Sequence, residues 1–339
     1  MLEDYFSITE GRSPARHWFS SMIPAGTSSL QDSSEEELWE LHDSAMVRFR
    51  DAWSTRSVPS PTDQPTLLQL KAALARHMLR RCRMCERRCE VDRVEGELGY
   101  CGVGEVSRLA SDFLHFGEES ELVPSHTIFF AGCTFRCEYC QNWDIAMSAQ
   151  SGRPVAPAHI ADSLRQGIEQ GSRNANFVGG NPDPNLHIIL EAIVLLGEDG
   201  KHLPMVWNSN MYTSEEAMRL LEGVMDIYLA DFRYGNDQCA KEYSDVDNYF
   251  EMVSRNFIIA HNQGEIMLRQ LLLPGHLECC TARIMKWVSD NMPHTYFNLM
   301  FQYRPEYRAG LHPEIDRRPT MEERDKAVQL ARRYGIALG

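Results

Sequence analysis

The chain has 339 residues, of which 43% are hydrophobic and 24% are charged. This length and apolar content suffice for one large catalytic domain with smaller additions. The formal net charge of -14 disfavours tight binding to nucleic-acid phosphates or to an anionic membrane surface. We therefore expect a small-molecule or protein substrate.

The cellular location is predicted from what the sequence lacks. No apolar run approaches the roughly 20 residues needed to cross a bilayer, and the first residues lack the pattern of a secretory signal. We therefore expect a cytoplasmic protein that does not enter a membrane. In a reducing compartment the ten cysteines are not expected to form disulfides. Seven of them fall in two short clusters, which is typical of metal sites.

The amino-terminal part is predicted to contain an extension followed by a small cysteine-rich unit. Residues 1–65 are rich in Ser and Pro and are predicted to be irregular, apart from one helix over 35–53. Residues 66–124 form the cysteine-rich unit, which begins with an amphipathic helix over 66–81 capped by Thr66.

From residue 125 onward, short apolar runs alternate with longer helical patterns. Such alternation implies parallel strands joined by right-handed helical crossovers. The prediction is an α/β fold, an open partial (β/α)6 barrel over 125–305, followed by a tail and helix over 306–339. The predicted strands are 126–130, 174–178, 204–208, 226–230, 265–273 and 295–301, and the predicted helices are 157–171, 184–197, 214–222, 238–260 and 279–291.

Three cysteines follow the first of these strands with the spacing Cys-x3-Cys-x2-Cys, namely Cys133, Cys137 and Cys140. Three thiolates on one loop can hold three irons of a 4Fe-4S cluster and leave the fourth iron open to a ligand. A zinc site completed by His126, or three unrelated buried cysteines, are alternatives, but structural zinc sites favour paired ligands. The spacing therefore favours the iron-sulfur cluster.

The earlier cysteine cluster consists of Cys82, Cys85, Cys89 and Cys101. Four thiolates are enough to close a tetrahedral zinc site or to hold a second 4Fe-4S cluster. The spacing does not decide between zinc and an iron-sulfur cluster. A site whose metal is fully coordinated by four thiolates indicates a structural or electron-relay role.

Polar and glycine residues follow the other strands, where barrels of this type bind their ligands. Gly179 and Gly180 can let backbone approach a ligand closely. Short polar side chains follow the third strand and can bind a ribose or carboxylate, although this stretch can equally precede a helix capped by Thr213 or Ser214. These side chains are Asn208, Ser209 and Asn210.

Charged residues follow the fourth strand and lie within the fifth. Asp231 and Arg233 are two apart and thus share one face of an extended chain, as a surface ion pair also would. Arg269 stands in an apolar run and needs an anion if it is buried. Beyond it, His276 and the adjacent Cys279 and Cys280 can donate hydrogen, bind metal or simply begin a helix.

With Tyr139 before its last cysteine, the triplet resembles the Cys-x3-Cys-x-aromatic-Cys signature of the radical S-adenosylmethionine (SAM) superfamily. From about Cys82 onward the chain is similar to the group labelled pyruvate formate-lyase activating enzyme-like. That similarity includes the four-cysteine cluster and the stretches GEESELVPSHTIFFAGCTFRCEYCQNWDIA and NLMFQYRPEYRAG. The resemblance implies a radical SAM type of partial barrel.

The resemblance also implies a cofactor arrangement. The methionyl group of SAM would chelate the open iron, and an electron from the cluster would cleave SAM to methionine and a 5'-deoxyadenosyl radical. Tyr139 would lie against the adenine, and the SAM carboxylate is one candidate for the anion that a buried Arg269 needs. Gly179, Gly180 and Asn181 occupy the place of a Gly-Gly-Glu-like motif that receives the methionine amine. Because Asn181 replaces the acid, the amine would use backbone carbonyls, the Asn oxygen or Asp183.

The function implied by the resemblance is that of a radical SAM oxidoreductase, reduced by a flavodoxin or ferredoxin. Asp231 and Arg233 take the place of an Asp-x-Lys that helps to position SAM and substrate in glycyl-radical activating enzymes. One possible substrate is therefore a glycine of a partner glycyl-radical enzyme. Another peptide, a nucleoside and a small molecule are the alternative substrates. The alternative from another class, a two-site zinc-binding interaction module, does not call for six strand-helix units.

Overall fold

The computed structural model describes residues 2–31, 33–197, 200 and 202–339. Its centre is one sheet of eight strands: β1 (Arg108–His115), β2 (Ser125–Phe130), β3 (Arg153–Pro154), β4 (Asn174–Gly179), β5 (Met205–Ser209), β6 (Ile227–Asp231), β7 (Glu265–Leu271) and β8 (Tyr296–Met300). The spatial order is β3-β1-β2-β4-β5-β6-β7-β8. The pairings from β2 through β8 are parallel, whereas β1 is antiparallel to both of its neighbours.

Helices connect the strands and cover the outer face of the sheet. They are α1 (Glu3–Thr9), α2 (Arg16–Ser20), α3 (Glu35–Thr55), α4 (Leu67–His77), α5 (Trp143–Ala146), α6 (Pro157–Glu169), α7 (Leu186–Gly197), α8 (Glu215–Leu221), α9 (Asp237–Ser244), α10 (Tyr249–Gln263), α11 (Ala282–Asn291) and α12 (Met321–Arg333). Within the described ranges, none of them is long and apolar enough to span a membrane.

The predicted partial barrel is confirmed: the six predicted strands correspond to β2 and to β4 through β8. The single helix predicted over 238–260 is wrong, because α9 and α10 are separate. Asp245 ends α9 with a φ of 52°, and Asn248 precedes α10 with a φ of 50°. Two residues in the left-handed region interrupt a helix that the apolar spacing alone would continue.

The barrel interior is closed at the amino-terminal ends of the parallel strands. There Tyr5 of α1 and Leu122 pack against Val206, Leu229 and Met267, which point inward from β5, β6 and β7. The extension thus contains two helices, α1 and α2, beyond the predicted one. Helices of 7 and 5 residues have little intrinsic stability, and their packing on the barrel fixes them.

The segment between β1 and β2 enters the barrel rather than running over its surface. Asn174 at the start of β4 donates to the carbonyl of Leu122 at 2.7 Å. Further up, Asn176 donates to Glu118 at 3.1 Å, and Asn298 of β8 donates to Glu119 at 2.9 Å. The sequence did not predict β1 or this inner segment, and together they line the barrel with carboxylates.

Candidate functional site

A cavity of about 400 Å³ opens at the carboxyl ends of the parallel strands. Its walls come from the loops after β2, β4, β5 and β6 and from inward positions of β7. The structure brings together here every residue predicted for the central site: Cys133, Cys137, Tyr139, Cys140, Gly179, Gly180, Asn181, Asn208, Ser209, Asn210, Asp231, Arg233 and Arg269.

The three cysteines lie on one wall, in the loop between β2 and α5. Cys133 and Cys137 are buried and Cys140 is half-buried. Burial raises the pKa of Cys133 and of Cys140 to about 12, so thiolates at these positions need a positive partner. Cys137 Sγ accepts hydrogen bonds from Ser244 Oγ at 3.0 Å and from Arg233 Nη1 at 3.6 Å. This donor set suits a metal cluster that binds thiolates beside a cavity.

Tyr139 belongs to a buried chain of hydroxyl groups behind the cysteines. Its hydroxyl lies 2.7 Å from that of Tyr234, which lies 2.6 Å from Ser244 Oγ. The Tyr139 ring packs against Tyr303 with centroids 5.7 Å apart. Tyr139 therefore fixes the cysteine loop as well as lining the cavity. Tyr234 and Ser244 were not predicted from the sequence, because only the fold brings Tyr234 to Tyr139 and Ser244 to Cys137.

The glycine pair after β4 is required by contacts within the chain. A Cβ on Gly179 would lie 2.1 Å from the carbonyl oxygen of Phe130, and one on Gly180 would lie 2.1 Å from that of Gly132. Gly180 N donates to Phe130 O at 2.8 Å, and Asn181 N to Gly132 O at 3.1 Å. The sequence predicted that this glycine pair lets backbone approach a ligand closely. In the structure, the pair first of all allows close contact with the backbone that leads into the cysteine loop.

Asn181 is the centre of a buried polar cluster. Its amide nitrogen donates to Asp183, and its oxygen accepts from the backbone N–H of Asn210 at 3.2 Å. Ser209 donates to Asp183 at 2.9 Å, and the side chain of Asn210 donates to Thr134 Oγ1 at 2.9 Å. Burial raises the pKa of Asp183 to about 6. Asp183 therefore places a carboxylate against Asn181, although Asp183 itself does not line the cavity.

A charged network forms another part of the cavity wall and reaches Cys137 through Arg233. Asp231 accepts from Arg233 Nη2 at 2.7 Å and from Arg269 Nε at 2.9 Å, and the two guanidinium groups hold its pKa below its usual range despite burial. Arg269 also donates to Asn208 at 2.6 Å and pairs with Glu118 at 3.4 Å. The anion that a buried Arg269 needs is thus present in the chain itself.

Glu118 is a cavity residue that the sequence analysis missed. Burial raises its pKa while Arg269 lowers it, and His115 Nδ1 lies 3.5 Å from its carboxylate. The acidic run GEESE (117–121) was the available signal, but the antiparallel β1 that delivers it into the barrel was not predicted.

The four-cysteine cluster surrounds a separate cavity of only about 10 Å³. Cys82 and Cys85 are buried, and Cys89 and Cys101 are half-buried. Gly99 is needed there, because a Cβ would lie 2.9 Å from Cys89 Sγ. All four predicted residues are brought together, and the small cavity leaves no room for a substrate.

The two cysteine sites are neighbours. Asn181 lines the large cavity and Pro184 lines the small one, so the four-residue stretch 181–184 separates them. Glu86 N also donates to Tyr212 O at 3.0 Å, which docks the cysteine-rich unit on the loop after β5.

Comparison with known proteins extends these observations. An uncharacterized protein of Methanocaldococcus jannaschii is 40% identical over 99% of this chain and 98% of its own length. A radical SAM methyltransferase from Sphaerobacter thermophilus aligns with a TM-score of 0.45 and 12% identity, over 92% of this chain and 94% of its own. SuiB of Streptococcus suis, bound to S-adenosylmethionine, aligns with a TM-score of 0.45 and 10% identity over 61% of this chain and 47% of its own, so this chain spans less than half of SuiB.

The sequence model that describes the Radical SAM superfamily matches residues 127–288. That range contains the cysteine triplet and the carboxyl ends of β2, β4, β5, β6 and β7, which together build the cavity. The family uses a 4Fe-4S cluster and SAM, and the triplet and the adjoining polar wall supply the ligand types that both require. Residues 127–288 therefore form a radical SAM domain.

Proposed function

We propose that this protein cleaves SAM reductively and removes a hydrogen atom from a glycine Cα of a partner protein. A 4Fe-4S cluster on Cys133, Cys137 and Cys140 would supply the electron that converts SAM to methionine and the 5'-deoxyadenosyl radical that takes the hydrogen. The observation that carries this proposal is that the three thiols and the candidate SAM ligands other than Asp183 line one cavity. The reductant we expect is a flavodoxin or ferredoxin.

The chain's own groups prepare the cysteine wall. Ser244 and Arg233 both donate to Cys137 Sγ, and hydrogen bonds to sulfur raise the reduction potential of such a site. Arg233 is in turn held by Asp231. Asp231 and Arg233 therefore hold Cys137 in position through one chain of hydrogen bonds. This role supports the similarity to the Asp-x-Lys of activating enzymes.

The polar wall is suited to the methionine and ribose parts of SAM. We expect Asn181 to accept from the amine, with Asp183 behind it supplying negative charge. Asn208, Ser209 and Asn210 offer donors and acceptors for the ribose. Because Arg269 is already paired with Asp231 and Glu118, we assign it to holding this wall together rather than to the SAM carboxylate alone.

The test of SAM cleavage starts from protein purified anaerobically and reconstituted with iron and sulfide. After reduction and addition of SAM, 5'-deoxyadenosine and methionine should form in equal amounts, and Cys137→Ala should form neither. A reconstituted wild-type protein that holds iron but releases no 5'-deoxyadenosine contradicts the proposal.

The glycine substrate requires a separate test. Mixing the active protein with a glycyl-radical enzyme should produce a glycyl-radical signal in electron paramagnetic resonance, and a partner with that glycine changed to alanine should give none. If SAM is cleaved but no glycyl radical forms, the reaction class stands and the substrate assignment is wrong.

A further inference from the structure

A third group of cysteines lies outside both predicted sites. Cys239 is in the first turn of α9, and Cys279 and Cys280 are in the segment after β7. Their three sulfur atoms all lie within 4.8 Å of one another. Cys279 Sγ is 3.9 Å from Cys239 Sγ and 3.9 Å from Cys280 Sγ. None of the three lines the large cavity.

These distances match those around a single metal ion. With Zn–S bonds of about 2.3 Å and tetrahedral angles, two thiolates on one zinc lie about 3.8 Å apart. A disulfide needs about 2.05 Å between its sulfurs and would use only two of the three. A soft site with several thiolates at this separation favours Zn²⁺ over the hard cations that prefer oxygen.

Local structure directs the three thiols toward one point. Asn236 caps α9 by accepting from Cys239 N at 2.8 Å, and its amide nitrogen donates to Cys239 Sγ at 3.3 Å and to Cys280 Sγ at 3.7 Å. Such donors stabilise the thiolate form that binds metal. The segment Leu277–Thr281 is a π-helical turn, a departure from α-helix that is frequent at functional sites.

His276 lies next to this group in the chain but does not belong to it. Its Nδ1 lies 2.8 Å from the carbonyl oxygen of Pro274, and its Nε2 lies 3.1 Å from Tyr243 OH. Neither ring nitrogen lies within 4.8 Å of all three sulfur atoms. The three thiols therefore form a site with one open position, which in zinc sites is commonly filled by water.

We propose that Cys239, Cys279 and Cys280 bind one Zn²⁺ ion, with a water molecule as the fourth ligand. Binding releases the three thiol protons, and the resulting negative charge is offset by the Asn236 amide and the amino terminus of α9. The ion joins the start of α9 to the segment after β7. It thereby fastens the helix that carries Ser244, whose hydroxyl donates to Cys137.

Zinc content of the anaerobically purified full chain tests the site. Cys280→Ser and Cys279→Ser should each contain one zinc per chain less than the wild type, measured by mass spectrometry of metals. The control Glu278→Gln changes the exposed residue that precedes Cys279 and should keep the zinc. Folded cysteine variants with unchanged zinc content would overturn the proposal.

Because a cysteine variant can fail to fold, a second measurement uses the unchanged protein. A zinc chelator should raise the alkylation rate of Cys239, Cys279 and Cys280 together by about tenfold or more, because metal-bound thiolates are shielded. Rates that do not respond to the chelator, or a disulfide among the three in protein kept anaerobic, would overturn the assignment.

The site is also separable from the proposed reaction. A variant with Cys133, Cys137 and Cys140 all changed to alanine should lose the central iron and SAM cleavage yet retain this zinc. Asn236→Ser keeps a helix cap and all three thiol ligands but removes the N–H donor, and should weaken zinc binding about 10-fold to 100-fold. Unchanged zinc affinity in this variant counts against thiolate ligation.

Discussion

The two predicted cysteine sites differ in the space beside them. The triplet of Cys133, Cys137 and Cys140 borders a cavity of about 400 Å³, whereas the four-cysteine cluster encloses about 10 Å³. The triplet receives donors from distant elements, such as Ser244 and Arg233, while Cys89 of the cluster accepts from nearby Tyr100 N at 3.4 Å. A reactive centre needs room and tuning groups from several elements, and only the triplet has both.

The largest expected difference in SAM cleavage is between two variants, each of which lacks one thiol at one of the two sites. Cys137→Ala should lower SAM cleavage by at least about 10³-fold, since it removes an iron ligand beside the cavity. Cys85→Ala should leave the cleavage rate of the folded protein within about tenfold, because its cavity holds no substrate. Iron content and 5'-deoxyadenosine formation are the measurements, and equal loss of activity in both variants would refute separate roles.

The next effect concerns the charged wall of the large cavity. Asp231→Asn leaves Arg233 and Arg269 without their shared carboxylate and should lower the free energy of unfolding by about 3–5 kcal/mol. Asp290→Asn removes an exposed pair with Lys286 and should leave the free energy of unfolding nearly unchanged. Denaturant unfolding compares the two, and similar losses would show that the wall is not held by this network.

An added methyl group should lower the free energy of unfolding by about 3 kcal/mol more at Gly180, beside the triplet, than at Gly104, beside the four-cysteine cluster. The Cβ of Gly180→Ala would lie 2.1 Å from Gly132 O, so the backbone leading to the triplet must shift. Gly104→Ala, beside the four-cysteine cluster, meets its nearest atom at 3.4 Å and should cost about 1 kcal/mol or less. Unfolding midpoints and reconstituted iron measure the difference; an unperturbed Gly180→Ala protein would disprove the close contact.

The smallest effect is a pH dependence at the boundary of the two sites. Asp183 has its pKa raised from 3.8 to about 6 by burial, so the folded state binds the proton more tightly than the unfolded state. Its contribution to stability is therefore full below about pH 4 and is lost as pH rises to about 6, by at most about 3 kcal/mol. Asp183→Asn should remove this dependence of the unfolding free energy on pH. A variant with the same pH dependence as the wild type would contradict the prediction.

Local patterns in the sequence were enough to predict the barrel and the residues around its cavity. Cys133, Cys137 and Cys140 share one loop, and Asp231 and Arg233 share one strand end, so their meeting depends on few assumptions. The carboxyl ends of parallel strands then brought the remaining candidates to the same edge of the sheet.

The missed features depend on contacts between residues far apart in the chain. Ser244 reaches Cys137 across 107 positions, and Glu118 reaches Arg269 across 151. β1 was not predicted because its partly exposed side chains and mixed polarity leave only a weak strand pattern. Arg269 could be predicted to need an anion, but which carboxylates would meet it depended on that unpredicted strand.

The amino-terminal closure of the barrel also has a consequence for biosynthesis. The backbone N–H of Tyr5 donates to the carboxylate of Glu265, a residue 260 positions later. At about 5–20 residues per second, the ribosome makes Glu265 roughly 13–50 s after Tyr5. Helix α1 therefore waits for that time without its final partner, and the barrel is closed by a segment that is made long before Glu265.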